Sequence, residues 1–169
     1  DYVGASDMMD GRIGAIRTAL EGAGHHSTGV LSYAVKYASA FYGPFRDAAG
    51  SSPRSGDRRS HQMDPRASPN EAVMEAQLDE AEGADLLMVK PALAYLDVVA
   101  AVHAATRRPI AVYNVSGEYA MVHAQHPEVG DRRRVVEEIM HAFHRAGASV
   151  IVTYHAREIV EQGWLEVRP

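Results

Sequence analysis

Two lysines stand at the ends of two short apolar runs, and no other lysine occurs in the chain. Lys90 closes Leu86-Leu87-Met88-Val89 and precedes Pro91; Lys36 closes Ser32-Tyr33-Ala34-Val35 and precedes Tyr37. A lysine at the carboxyl end of a buried strand sits where α/β enzymes place their sites. Loss of water disfavours the ammonium form, and a second amine nearby disfavours it further, so each lysine can become a nucleophile toward a ketone. The competing reading is a pair of separate lysines that extend to solvent from their strand ends.

Other side chains fit the same mouth. Residues 38–66 interrupt the pattern with Gly43, Pro44, Gly50, Pro53, Gly56 and Pro65, and carry Arg46, Arg54, Arg58 and Arg59. A long basic loop after a strand is functional or disordered. Arg46 and Arg58 suit bidentate pairing with carboxylates, whereas Arg54 reads as a solvated charge. Ser116 and Tyr154 are read as ending strands, with hydroxyls for a second carboxylate or for capping and core contacts. Nine histidines are present. His123 and His126 are three apart, as are His141 and His144, while His25 and His26 are adjacent. No third ligand follows in sequence, so all are expected to be solvated or partly buried. The glycines fit neither the phosphate-binding loop nor the dinucleotide fingerprint.

Strands must position these groups. Residues 30–35, 86–89, 110–115 and 150–154 form short apolar runs rich in β-branched residues, the pattern of buried strands; Tyr2-Val3 reads as the stump of another. Between them lie helical stripes: Ile13, Ile16 and Leu20; Leu96, Val99 and Ala100; Val135, Ile139, Ala142 and Phe143. Ser68-Pro69-Asn70-Glu71 is a capping box that opens a helix toward Ala81, and a last helix is expected over 156–161. Glu82-Gly83-Ala84-Asp85 and Ala146-Gly147-Ala148-Ser149 are matching junctions, each with a glycine that ends a helix before a strand. Repeated strand–helix units imply a parallel sheet with right-handed crossovers. Both an open doubly wound sheet and a β/α barrel fit, and about five strands are visible where a closed barrel needs about eight.

Composition bounds the class. The chain has 169 residues, 46% hydrophobic and 23% charged, with a net charge of -5. That suits one soluble globular domain over residues 1–169 and opposes a nucleic-acid surface. No apolar run is long enough for a membrane span. Cysteine is absent, which excludes disulfides and thiolate metal sites within the chain. The start lacks the basic region and long apolar run of a signal peptide. A cytoplasmic location is expected, and the chain reads as beginning inside a strand with more sequence upstream.

Long motifs then point to one family. Ser32-Tyr33-Ala34-Val35-Lys36-Tyr37-Ala38-Ser39-Ala40-Phe41-Tyr42-Gly43-Pro44-Phe45-Arg46-Asp47 resembles the first lysine segment of porphobilinogen synthases (5-aminolevulinate dehydratases). Met88-Val89-Lys90-Pro91-Ala92-Leu93-Ala94-Tyr95-Leu96-Asp97 resembles the second. Ser6-Asp7-Met8-Met9-Asp10-Gly11-Arg12, Gly56-Asp57-Arg58-Arg59 with Gln62-Met63, and Tyr113-Asn114-Val115-Ser116-Gly117-Glu118-Tyr119 match in the same order. The resemblance implies the carboxyl-terminal part of a TIM (β/α)8 barrel, here a partial barrel of about five β/α units. The implied reaction condenses two 5-aminolevulinate molecules to porphobilinogen with loss of two waters, in haem and other tetrapyrrole synthesis.

By resemblance, Lys90 holds the substrate that becomes the propionyl side and Lys36 the one that becomes the acetyl side. Ser116 and Tyr154 would bind the first carboxylate. Arg46, Arg58 and Gln62 would bind the second, under a lid formed by residues 41–66. The family also implies a divalent metal, magnesium or zinc, and a homo-oligomer, typically an octamer. Its principal metal ligands, its first strands and its oligomer-building arm are expected upstream of Asp1. Glu75 matches a position that binds magnesium in some bacterial members. Gly4-Ala5, His61 and His155 depart from the family pattern, the histidines standing where aromatics are usual. Two alternatives accompany this reading: a class I aldolase-like Schiff-base lyase, and a non-catalytic fragment that needs a partner.

Overall fold

The computed structural model describes residues 1–43 and 61–165. Five strands form one sheet: β1 (Tyr2–Val3), β2 (Gly29–Lys36), β3 (Leu86–Lys90), β4 (Ile110–Asn114) and β5 (Ala148–Thr153). All neighbours are parallel and the spatial order equals the chain order. That order decides between the two candidate architectures. A doubly wound sheet reverses direction at a switch point. Here each right-handed crossover adds its strand on the same side, so the helices share one face and the sheet is an arc of a barrel.

The crossovers are α1 (Arg12–Gly22), α2 (Pro69–Ala81), α3 (Leu96–Ala105) and α4 (Ser116–Gln125) with α5 (Val129–Arg145); α6 (Ala156–Gln162) follows β5. Ser68 caps α2, its hydroxyl accepting from the Asn70 amide at 3.3 Å, with Pro69 in the first turn. Gly83 and Gly147 end α2 and α5 with φ of 102° and 109°, a left-handed conformation that other residues adopt only at a cost. Both matching junctions therefore turn as the sequence implies.

The core lies between the sheet and the helices. Val30, Leu87, Val89, Ile110 and Val112 meet Ala72, Ala76, Val99, Val102, Val136 and Phe143 there. Each such large apolar side chain contributes roughly 1.5–3 kcal/mol on burial. On α5 the buried stripe Arg132, Val136, Ile139, Met140 and Phe143 follows helical spacing. Ser32 is also on the helix side, where its hydroxyl donates to the Asp79 carboxylate of α2.

Three features differ from the sequence reading. Residues 116–125 form α4, which lacks an apolar stripe: its buried residues are Ser116, Gly117, Glu118 and Val122. Strand β4 stops at Asn114, so Ser116 opens a helix rather than ending a strand. Strand β5 is an edge, not a fully buried strand: Ser149 and Val150 are exposed, Val150 by 41%. No helix among the described residues is long and apolar enough to cross a membrane.

Candidate active site

The two lysines are register partners. Lys36 pairs with Lys90, and Val35 with Val89. Residues paired across neighbouring strands project to the same face. That face is the inner one of the arc, opposite the helices, and it also carries Leu86, Met88 and Tyr113 through strand alternation. A register shift between Ser32 and Val35 places one extra residue in β2. In a regular strand Tyr33 and Lys36 would face opposite ways; the irregularity brings them to one side. The Tyr33 ring accordingly lies 5.8 Å from Lys36 Nζ and 5.4 Å from Lys90 Nζ.

Aromatic rings wall the Lys90 amine, with Tyr113 at 4.1 Å and Tyr42 at 5.6 Å from Nζ. Lys36 is buried, and its Nζ donates to the Ser6 hydroxyl at 2.9 Å. Ser6 lies on the segment after β1, so three consecutive strand ends meet at this mouth. Burial and the proximity of Tyr113 push the Tyr33 hydroxyl pKa up.

Backbone contacts hold the rim. The Lys90 carbonyl accepts from the Tyr37 amide at 2.9 Å and the Tyr42 hydroxyl at 3.1 Å. A short 3-10 turn at Ala40–Tyr42, capped by Ser39, thus docks onto the end of β3. Gly117 makes room for it: a Cβ there would lie 2.4 Å from the Phe41 carbonyl oxygen. Met63 lies opposite Tyr37 in a parallel bridge, its amide donating to the Lys36 carbonyl at 3.0 Å and its carbonyl accepting from the Ala38 amide at 2.9 Å. That bridge seats Gln62 beside the end of β2, where its amide is buried with no hydrogen-bond partner among the described residues.

Ser116 and Tyr154 flank the ends of the neighbouring strands β4 and β5. Asn114 pairs with Thr153 in register, and the Thr153 hydroxyl donates to Asn114 Oδ1 at 2.8 Å. Ser116 is buried at the first position of α4. Tyr154 is 41% exposed, with its ring 6.4 Å from Tyr113. Burial, and then the hydrogen bond with Tyr113, push its hydroxyl up to about 12, so it stays a donor. Arg46 and Arg58 lie outside the described residues. Glu75 projects from α2 into a cavity of about 190 Å³ that Asp10, Gln62 and Glu71 also line. Burial, and then Asp10, raise its carboxyl pKa.

The sequence reading passed over Glu118. Its carboxylate is 1% exposed and accepts from the Leu93 amide at 2.9 Å, the Val115 amide at 2.9 Å and Asn114 Nδ2 at 2.8 Å. One side chain thereby ties the loop after Lys90 to the end of β4. Desolvation raises its pKa against these bonds, which lower it. Its signal in the sequence was a glutamate at the third position of a helix, reaching back to the preceding amide.

A second correction concerns the histidines. His155 is not solvated: it is fully buried, and it converges with Glu158, three residues on, and with His123, which no short spacing joins to either. Burial, and then His123, lower its pKa to about 4. His126, the sequence neighbour paired with His123, uses its backbone carbonyl instead, accepting from Arg132 at 2.8 Å. His141 and His144 are exposed, as expected.

Two amines on one inner face, with hydroxyls across the mouth, can hold two carbonyl compounds next to each other. The family model for delta-aminolevulinic acid dehydratase matches residues 1–162. The dehydratase of Synechococcus elongatus is 52% identical over 98% of this chain and 50% of its own length. That of Helicobacter pylori is 51% identical over 94% of this chain and 49% of its own. A crystal structure of the Toxoplasma gondii enzyme with its product porphobilinogen superposes with a TM-score of 0.90 at 47% identity, covering 96% of this chain and 46% of that one. The chain therefore spans about half the length of the bacterial relatives it matches. Extended motifs, a five-stranded arc with paired lysines and these relatives agree: the chain belongs to the delta-aminolevulinic acid dehydratase family.

Proposed function

We propose that this chain supplies the lysine-bearing part of a porphobilinogen synthase, an enzyme that joins two 5-aminolevulinate molecules with loss of two waters. The observation that carries the reading is the Lys36–Lys90 register on one face, with both amines beside the Tyr33 ring. Each amine would condense with a ketone to an iminium, which draws electrons from the adjacent carbon. Lys90 would hold the propionyl-side substrate and Lys36 the acetyl-side one. Holding both reactants in one walled mouth turns a two-molecule encounter into an oriented one.

Ser116 and Tyr154 would hold the first carboxylate. Arg46, Arg58 and Gln62 would hold the second, with residues 41–66 as a lid. The buried amide of Gln62, which has no hydrogen-bond partner among the described residues, supports its part in that role. Paired lysines favour condensation over the aldolase-like alternative, which needs one.

Family membership implies a divalent metal without saying which. Glu75, Asp10 and Glu71 offer the hard oxygen ligands that magnesium prefers and line one cavity; a cation there would offset the burial and the mutual repulsion that together raise Glu75. The chain would act as one domain in a homo-oligomer. Tyr2 and Val150, exposed on the two edge strands, favour association, because uncovered edges and apolar faces seek partners.

The test is borohydride trapping with 5-aminolevulinate. A reduced adduct should map to Lys90 and vanish in Lys90→Ala. Undiminished trapping in that variant would remove Lys90 from the reaction. Porphobilinogen production by the isolated chain would overturn the need for association.

A further inference from the structure

We infer that His123, His155 and Glu158 form a binding site for one zinc-class divalent cation, seated beside Tyr154. The three come from different places: His123 from the last turn of α4, His155 from the turn between β5 and α6, and Glu158 from α6. One ligand atom from each lies within 4.8 Å of the others. Glu158 Oε2 is 3.9 Å from His123 Nε2 and 3.9 Å from His155 Nδ1. Ligand atoms around a tetrahedral ion with bonds near 2.0–2.1 Å are roughly 3.4 Å apart. To hold one, the two carboxylate–imidazole gaps need to close by about half an ångström each, and the imidazole–imidazole gap, which lies within 4.8 Å, by up to about 1.4 Å.

Unmet hydrogen bonding is the independent observation. Both ring nitrogens of His155 and Nε2 of His123 are buried with no hydrogen-bond partner among the described residues, and the His155 side chain is wholly inaccessible. Buried polar atoms are nearly always paired. Here orphaned atoms of two rings face one carboxylate oxygen. Stacking sets the rings: they lie 5.5 Å apart with planes 13° from parallel, and Tyr119 sits 4.1 Å from His123 and 4.6 Å from His155.

Glu158 is oriented from behind. Its Oε1 accepts from Arg132 Nη2 at 2.7 Å, and Oε2 meets Arg132 Nε only at 3.4 Å. A cation held by fixed outer partners is a common arrangement. Arg132 is a nearby positive charge, which moderates the affinity. Two imidazoles and one carboxylate suit zinc, with water as a fourth ligand on the partly open His123 side. Such an ion would pin the turn that carries Tyr154.

Zinc titrated by calorimetry into the EDTA-treated, untagged chain should bind one to one. His155→Phe and His123→Gln should each weaken binding more than about 100-fold, beyond the usual effect of outer partners. His141→Ala, on the exposed face of α5, should leave it unchanged. Cobalt(II) in the unaltered chain should give the strong visible absorption of a four-coordinate ion, a reading that needs no variant to fold. Absence of that absorption, or zinc affinity unchanged in either folded variant, overturns the site.

Discussion

Glu118 and His155 are both sealed from water, and both follow a strand end by a few residues, yet they meet opposite fates. Glu118 accepts three hydrogen bonds from two segments, the loop after Lys90 and the end of β4. Neither ring nitrogen of His155 has a hydrogen-bond partner among the described residues. The Asn114–Thr153 pairing lies between them. A satisfied buried carboxylate rigidifies what it touches, here the lysine mouth. An unsatisfied buried imidazole keeps a desolvation cost that a ligand can relieve. Equal burial thus separates a positioning group from a binding group.

The largest effect should come from breaking the satisfied member. Glu118→Ala strands two amides and the Asn114 side chain, and should cost about 4 kcal/mol by urea denaturation, since each orphaned group costs roughly 1–3 kcal/mol. Glu118→Gln, which keeps the shape, should cost clearly less. Acidity sharpens the contrast. The Glu118 carboxyl is raised in the folded chain, so its share of stability is complete below the unfolded value near 4.5 and fades as pH rises through the folded one. Wild type should therefore lose stability relative to Glu118→Gln as pH climbs from about 4.5. A flat difference between the two across that range would sink this reading of Glu118.

Gly117→Ala attacks the same mouth by crowding. The added Cβ would stand 2.4 Å from the Phe41 carbonyl oxygen, and backbone must move. A loss of about 2 kcal/mol is expected, with the Ala40–Tyr42 turn displaced from the Lys90 carbonyl. Faster amide exchange at Tyr37, whose N–H donates to that carbonyl, checks the displacement. Unchanged exchange and stability would show that the turn does not depend on this close approach.

Much of this frame was legible in the residues. Apolar β-branched runs marked every strand from β2 to β5, and Gly83 and Gly147 marked two helix ends because left-handed backbone favours glycine. Helix α4 was hidden because its inward face is polar: Ser116, Gly117 and Glu118 do not register as an apolar stripe. The exposure of β5 was hidden because a run's composition does not say whether another strand or helix covers it. Lys36 and Lys90 could be proposed as partners, but the irregularity in β2 that turns Tyr33 toward both exists only in the register. The histidine cluster joins positions 123 and 155 across a whole strand, and the short spacing of His123 and His126 pointed elsewhere.

The smallest effect is also the most discriminating, because its sign depends on the ligand. His155→Phe exchanges an orphaned imidazole for a ring of similar size amid Tyr119 and His123. Without metal, relief of the unpaired nitrogens should stabilise the chain by about 1 kcal/mol. With zinc at 100 times its dissociation constant, the unaltered chain gains about 2.7 kcal/mol that the variant cannot. The order of melting temperatures should therefore invert between EDTA and zinc. Inversion requires both that the imidazole is a burden when empty and that it is a ligand when filled. A variant less stable in both media would make His155 a packing residue and return the pair to a single kind of buried polar group.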